Sequence, residues 1–196
     1  HCANIEELAL RFPDMKIVGN AKTISFIQQF YDLDLSDRTI TVTEKDTLSL
    51  GRHELHFVFA PMVHWPEVMM SYEASEKILF SADAFGSFGA HNRTLFDDEV
   101  ELDSEWISDA RRYYTNIVGK YGPQVQMALK KAAALDIALI APLHGIVWRS
   151  KMTEILEKYQ LWSTYTPEET GVLVLYGSMY GNTENAANVL AAMLAD

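Results

Sequence analysis

The stretch that decides the fold is Lys77-Ile78-Leu79-Phe80-Ser81-Ala82-Asp83-Ala84-Phe85-Gly86. Its apolar residues run together, which predicts a strand at residues 77–81 that is buried on both faces. A potential metal ligand, Asp83, follows directly in a loop that ends near Gly86. A strand end holds a side chain rigidly, while the loop lets that side chain converge with others. The stretch therefore predicts a sheet whose strand ends can carry a site.

The same alternation of short strands and helices runs along the whole chain. Further strands are predicted at residues 14–19, 39–42, 47–59 (two strands joined at Gly51-Arg52), 137–141 and 171–176. Helices are predicted at residues 4–12, 21–30, 103–118, 123–135, 151–162 and 184–194. This order indicates an α/β protein rather than an all-β one.

A polar segment with little periodicity, Ser163–Thr170, is the predicted domain boundary. It divides a first domain at residues 1–165 from the start of a second domain at residues 170–196. The chain begins with a helix already under way and ends on an apolar helix face at Leu194-Ala195-Asp196. Both ends are therefore expected to be cuts rather than natural termini.

The composition is that of a folded, acidic protein. Of its 196 residues, 48% are hydrophobic and 11% aromatic, which argues against disorder. The formal net charge of −11 repels phosphate backbones and anionic lipids, so neither nucleic acid nor a membrane is an expected partner. The single cysteine, Cys2, cannot form an internal disulfide, which fits a reducing, cytoplasmic setting.

Three loops share one feature, a potential metal ligand just after a strand. The ligands are His64, Asp83 and His144, and each loop is flanked by proline or glycine. Imidazole and carboxylate groups suit iron, zinc or manganese, and the two oxygens of one carboxylate can bridge two metals. The alternative for each residue alone is a hydrogen-bonded loop side chain. His53 and His56 lie at odd separation on one strand, so they are expected to face opposite sides.

A second chemical motif lies between the predicted strand at 171–176 and the last helix. The unpaired N–H groups and partial positive charge of a helix N-terminus suit a phosphate monoester. The motif is neither a dinucleotide fingerprint nor a P-loop, and the alternative is an ordinary helix cap. The candidate phosphate-binding residues are Ser178, Met179, Tyr180, Gly181, Asn182 and Thr183.

Several motifs together resemble those of flavodiiron proteins. They are Val63–Glu67, Leu79–Gly86, Pro142–Arg149 and Arg111–Tyr121. The resemblance implies a catalytic pair of non-haem irons, with His64 on one iron, His144 on the other and Asp83 bridging them. The family's earlier motif reads His-x-Glu-x-Asp-His. His1 fits its last histidine, and the preceding ligands would lie before residue 1.

The resemblance also implies a fold and a second cofactor. The fold is α/β, a partial metallo-β-lactamase-like αββα sandwich followed by the first β-loop-α of a flavodoxin-like domain. The loop from Ser178 to Thr183 is similar to the FMN-phosphate loop of flavodoxins, so the implied cofactor is FMN. The later loops that clasp the flavin ring are missing from this chain.

The implied activity is reduction of dioxygen to water, of nitric oxide to nitrous oxide, or of both. Electrons would come from a redox donor protein or a reduced cofactor. A head-to-tail homo-oligomer, a dimer or tetramer, is implied because the FMN of one subunit lies against the diiron site of another. Two alternatives stay open: a dizinc hydrolase of the metallo-β-lactamase superfamily, and a catalytically incomplete fragment.

Overall fold

The computed structural model describes residues 3–90, 94–102 and 106–195. His1 lies outside this part of the chain, as do residues 103–105 of the helix predicted from Asp103. The chain divides into one compact unit that runs to Thr166 and another that begins at Pro167. The assignment of residues 1–165 and 170–196 to two named domains stays a prediction.

The helices and strands follow the predicted alternation. The helices are α1 (Ile5–Arg11), α2 (Ala21–Phe30), α3 (Ile107–Ile117), α4 (Gly122–Ala132), α5 (Met152–Ser163) and α6 (Asn182–Ala195). The strands are β1 (Ile17–Gly19), β2 (Thr39–Thr41), β3 (Thr47–Ser49), β4 (Glu54–Phe59), β5 (Met69–Glu73), β6 (Ile78–Phe80) and β7 (Leu139–Ala141). None of these helices is long and apolar enough to cross a membrane.

A five-stranded sheet with the order β3-β4-β5-β6-β7 organises the first unit. Its first four strands pair antiparallel, whereas β7 lies parallel to β6. A parallel partner needs a long crossover, and the segment that contains α3 and α4 supplies it. Because Phe80 pairs with Ala141, the loops that follow β6 and β7 leave the sheet at the same edge. This topology brings Asp83 and His144 to one place.

One face of the sheet carries the main core. Val58, Met70, Leu79 and Ile140 are buried there, in one cluster with side chains of α3, α4 and α5. The helical members of the cluster are Ile107, Ala110, Tyr114, Val125, Ala128, Ala132, Ile155, Tyr159 and Trp162. A second, smaller core of Ala9, Ile27 and Leu35 lies beside the parallel pair β1-β2.

The prediction that the strands at 77–81 and 137–141 are buried on both faces was wrong. Phe80 is 47% exposed, and Leu139 and Ala141 are only partly buried. Alternate residues of a strand point to opposite faces, and the helices cover only the face of Leu79 and Ile140. Among the described residues, helices therefore cover only one face of each of these two strands.

The strand predicted at residues 171–176 is not formed. This segment makes no strand pairing with any described residue, and Leu173 and Leu175 are 87% and 88% exposed. A strand forms only when a neighbouring strand pairs with it through hydrogen bonds. The apolar pattern of the segment does not provide that neighbouring strand. The loop and helix that follow this segment are present, so the second unit consists of an extended lead and α6.

Candidate metal centre and phosphate loop

The three ligands predicted in the first unit lie together. The Oδ2 atom of Asp83 is 3.2 Å from Nε2 of His64, and its Oδ1 atom is 3.4 Å from Nε2 of His144. Each carboxylate oxygen therefore faces a different imidazole. The Asp83 side chain is 6% exposed, whereas those of His64 and His144 are 28% and 42% exposed. The buried carboxylate lies between two more accessible rings.

The three side chains do not by themselves make a complete metal site. Within residues 3–90, 94–102 and 106–195, no three His, Cys, Asp or Glu side chains are grouped so that they could hold a metal ion. A carboxylate shared between two imidazoles instead offers one oxygen and one nitrogen to each of two centres. Nitrogen and oxygen donors of these types suit iron and zinc. The residues present thus fit part of a two-metal site in donor type.

The loop of Asp83 is held by hydrogen bonds from distant parts of the chain. The Phe85 N–H donates to the hydroxyl of Tyr159, and Nε1–H of Trp148 donates to the Phe85 carbonyl, both over 2.9 Å. The N–H of Leu143 donates to the carbonyl of Ala82 over 2.8 Å, which joins the two ligand loops directly. These bonds fix the spacing between Asp83 and His144.

Unusual backbone conformations occur next to the ligands. Met62, Ala82 and Phe85 have φ angles of 65°, 54° and 66°, values that residues with side chains seldom adopt. These three residues lie within two positions of His64 or Asp83, whereas Lys77 and Tyr165, which also have positive φ angles, lie further away in the sequence. Non-glycine residues in this region persist where the surrounding structure forces them, and they concentrate at functional sites. Their placement supports a functional role for these two loops.

The three candidate ligands line a pocket of about 670 Å³ with largely apolar walls. Tyr113 packs its ring against that of His144 at 5.8 Å, and burial together with the charge of Asp83 raises the pKa of its phenol. Sequence reasoning did not single out two other polar residues of this pocket, Tyr113 and Glu67. Both lie inside motifs that carry the resemblance, Tyr113 in Arg111–Tyr121 and Glu67 in Val63–Glu67. These motifs could therefore have pointed to the two residues.

The other histidines have separate environments or lie outside the described residues. His53 bonds to Glu73 over 3.1 Å, and His56 to Glu54 over 2.8 Å, so the two rings share no site. His1 and His91 fall in the parts of the chain that the structure does not describe. The position of His1 as a further ligand stays a prediction.

The predicted phosphate loop has a defined shape in the second unit. The N–H of Gly181 donates to Oγ of Ser178 over 3.0 Å, and Gly181 has a φ angle of 83°, which favours glycine. The helix α6 begins at Asn182, two residues earlier than predicted. Space is open above Gly181, since an added Cβ would meet no atom within 4 Å. The exposed residues Met179 and Tyr180 complete the loop.

The chain is similar to proteins of known identity. A profile described as ODP family beta lactamase matches residues 1–145. The anaerobic nitric oxide reductase flavorubredoxin of Salmonella paratyphi A is 34% identical over 97% of this chain and 40% of its own length. The structure of rubredoxin oxygen:oxidoreductase from Desulfovibrio gigas matches all of this chain and 49% of its own, at 30% identity and a TM-score of 0.89.

A flavodiiron protein from Giardia intestinalis matches 91% of this chain and 43% of its own, at 29% identity and a TM-score of 0.80. The chain thus spans less than half the length of these relatives. These relatives belong to the family that the sequence motifs resemble. The resemblance to flavodiiron proteins and the partial β-lactamase-like α/β fold are therefore confirmed. The chain belongs to the ODP family of beta-lactamase-like proteins, and its relatives of known structure are flavodiiron proteins.

Proposed function

We propose that the chain is part of a flavodiiron oxidoreductase that reduces dioxygen to water, nitric oxide to nitrous oxide, or both. The observation that carries the proposal is the carboxylate of Asp83, which faces His64 with one oxygen and His144 with the other. When bound, FMN would supply electrons and two irons would bind and reduce the gas. A shared carboxylate would hold the two metal sites close enough to act on one substrate.

The chain's own residues would bind the two irons and surround them with apolar side chains. His64 and His144 would each hold one iron, Asp83 would bridge them, and His1 is a further proposed ligand. Apolar side chains, including Ile27, Val68, Phe88 and Ile117, form much of the pocket wall. Small apolar gases partition into such a pocket more readily than ions do.

The phosphate of FMN is proposed to lie on the loop of the second unit. The first N–H groups of α6 have no partner within the helix, and they would donate to the phosphate oxygens. Hydroxyl groups of Tyr180 and Thr183 would add hydrogen bonds, while the hydroxyl of Ser178 already shapes the turn by accepting from Gly181. The proposed binding residues are Ser178, Met179, Tyr180, Gly181, Asn182 and Thr183.

The proposal includes partners and a setting. A redox donor protein or a reduced cofactor would reduce the flavin in a cytoplasmic compartment. A head-to-tail homodimer or tetramer would bring the FMN of one subunit against the metal site of another, since electron transfer requires a short distance. The acidic charge of −11 makes nucleic acid an unfavourable partner.

Elemental analysis of the purified protein tests the proposal, with iron and zinc measured per chain of verified mass. About two irons per chain together with consumption of dioxygen or nitric oxide would support it. Zinc in place of iron, with ester or amide hydrolysis and no gas consumption, would favour a dizinc hydrolase instead. An iron-loaded protein that consumes neither gas when given a reductant would refute it.

A further inference from the structure

The pocket beside Asp83 contains a second carboxylate that the proposed ligand set does not use. Glu67 lies three residues after His64 and lines the same pocket as His64, Asp83 and His144. Its Oε2 atom is buried and has no hydrogen-bond partner in the part of the chain that the structure describes. Burial of a charged oxygen without a partner is unfavourable, so this atom requires a hydrogen-bond donor such as a bridging water.

The backbone of Glu67 is fixed by a buried side chain. Nδ2–H of Asn20 donates to the carbonyl of Glu67 over 2.7 Å, and Oδ1 of Asn20 accepts from the N–H of Thr23 over 3.0 Å. Asn20 is 7% exposed and caps the N-terminus of α2. The same side chain therefore ties the first turn of α2 to the loop that carries Glu67. The bond from Asn20 therefore anchors the backbone from which the Glu67 side chain extends.

We propose that Glu67 relays protons to the gas that is reduced in this pocket, an inference that rests on the proposed function. Reduction of one dioxygen to two waters consumes four electrons and four protons. Reduction of two nitric oxides to one nitrous oxide and one water consumes two electrons and two protons. The electrons would be supplied by the reduced donor, with FMN as the carrier when it is bound. The O–H bond of protonated Glu67 breaks, its proton goes to an oxygen atom of the reduced gas, and solvent water returns a proton to the carboxylate.

The other titratable groups of the pocket have different roles. His64, Asp83 and His144 belong to the proposed ligand set, so they would be occupied as ligands in the loaded protein. Tyr113 packs its ring against His144. Among the described pocket residues, Glu67 is the carboxylate outside the ligand set, and its Oε2 atom has no hydrogen-bond partner among the described residues.

The test compares Glu67→Gln with Glu67→Asp in the iron- and FMN-loaded protein. Glutamine keeps the size of the side chain but cannot relay a proton, so we expect kcat to fall about hundredfold while KM and iron content hold. Aspartate should restore part of kcat and the wild-type pH profile, with a solvent deuterium isotope effect. Glu76→Gln is the matched control, because Glu76 is an exposed glutamate nine residues further on.

A crystal structure of the metal-free protein gives an independent measurement. We expect an ordered water on Oε2 of Glu67, within hydrogen-bond distance and on the pocket side. Wild-type turnover in Glu67→Gln, loss of iron from both variants, or a protein donor on Oε2 would each overturn the proposal. If the loaded wild-type protein reduces neither gas, the proposed function fails instead, and the crystal structure still shows what Oε2 contacts.

Discussion

The backbone N–H of Phe85 donates a hydrogen bond over 2.9 Å to the phenolic oxygen of Tyr159. Tyr159 is fully buried on α5, 74 residues further along the chain, and its ring lies 4.8 Å from that of Phe85. Nε1–H of Trp148 bonds to the carbonyl of the same residue. The backbone two positions after Asp83 is thus held from both sides, so the last helix of the first unit positions the proposed bridging carboxylate.

Substitution of Tyr159 by phenylalanine should destabilise the first unit. The change removes an acceptor and leaves the buried N–H of Phe85 without its partner, which costs about 1–3 kcal/mol. Urea unfolding followed by tryptophan fluorescence measures the change in the free energy of unfolding. Tyr121→Phe is the control, because Tyr121 is only partly buried and lies away from the loop of Asp83. An equal loss of unfolding free energy in both variants would show that the hydrogen bond to Phe85 does not add to stability beyond the loss of a tyrosine hydroxyl elsewhere.

Substitution of Gly86 by alanine should push the two ligand loops apart. An added Cβ would lie 3.0 Å from the carbonyl oxygens of both Asp83 and His144, closer than ordinary van der Waals contact. Backbone atoms cannot move aside as a flexible side chain can, so we expect a loss of about 1–3 kcal/mol in stability. We also expect weaker metal binding, measured by titration of the metal-free protein with ferrous iron.

The control for Gly86 is Gly171→Ala, since a Cβ on Gly171 would meet no atom within 4 Å. This variant should bind iron and unfold like the wild type. If Gly86→Ala bound iron with unchanged affinity, the close approach of the Asp83 and His144 backbones would not be needed for the site.

Substitution of Asp83 by asparagine should remove most of the bound metal. Asparagine keeps the shape of the side chain but loses its charge and one of the two acceptor oxygens that face His64 and His144. Loss of an outer partner of a ligand already weakens metal binding about 10–100-fold, so loss of a bridging ligand should cost at least that much. Iron content per chain and gas consumption are the measurements, with the exposed Asp32→Asn as control. Full iron content in Asp83→Asn would remove Asp83 from the ligand set.

The candidate metal centre was predictable because its signal is local. Each of His64, Asp83 and His144 follows a strand, and a sheet brings the ends of neighbouring strands together whatever the details of its packing. The helix predicted at residues 21–30 forms at the same residues for a similar reason, since its apolar face has a helical period. Short-range pattern was sufficient for the helix and for the approach of the three side chains, whereas their role as metal ligands rests on the resemblance and stays a prediction.

The features that could not be predicted depend on partners far along the chain. The strand β5 was not predicted, because its buried residues include Glu73, whose burial rests on hydrogen bonds and not on hydrophobicity. The apolar pattern at 171–176 resembles a strand, but pairing requires a neighbour that the sequence pattern does not identify. Glu67 was recognised as part of a motif, yet its burial beside Asp83 follows only from the folded loop.

Glu73 should make the first unit sensitive to acid. Burial acts to raise the pKa of its carboxyl, but hydrogen bonds from the N–H groups of Glu76 and Ser75 and from His53 outweigh burial and lower the pKa to about 2. A carboxylate with a lowered pKa stabilises the fold above its unfolded pKa and loses that contribution as pH falls through the folded value. Glu73→Gln should therefore be less stable than the wild type at neutral pH.

The difference between the two proteins should stay constant above the ordinary carboxyl pKa of 4.5 and shrink as pH falls from there toward about 2. Urea unfolding of both proteins at a series of pH values measures it. Glu76→Gln is the control, because its backbone N–H still donates to Glu73 and its own side chain is exposed. A gap between wild type and Glu73→Gln that stays constant down to about pH 2 would mean that the charge of Glu73 does not stabilise the turn after β5.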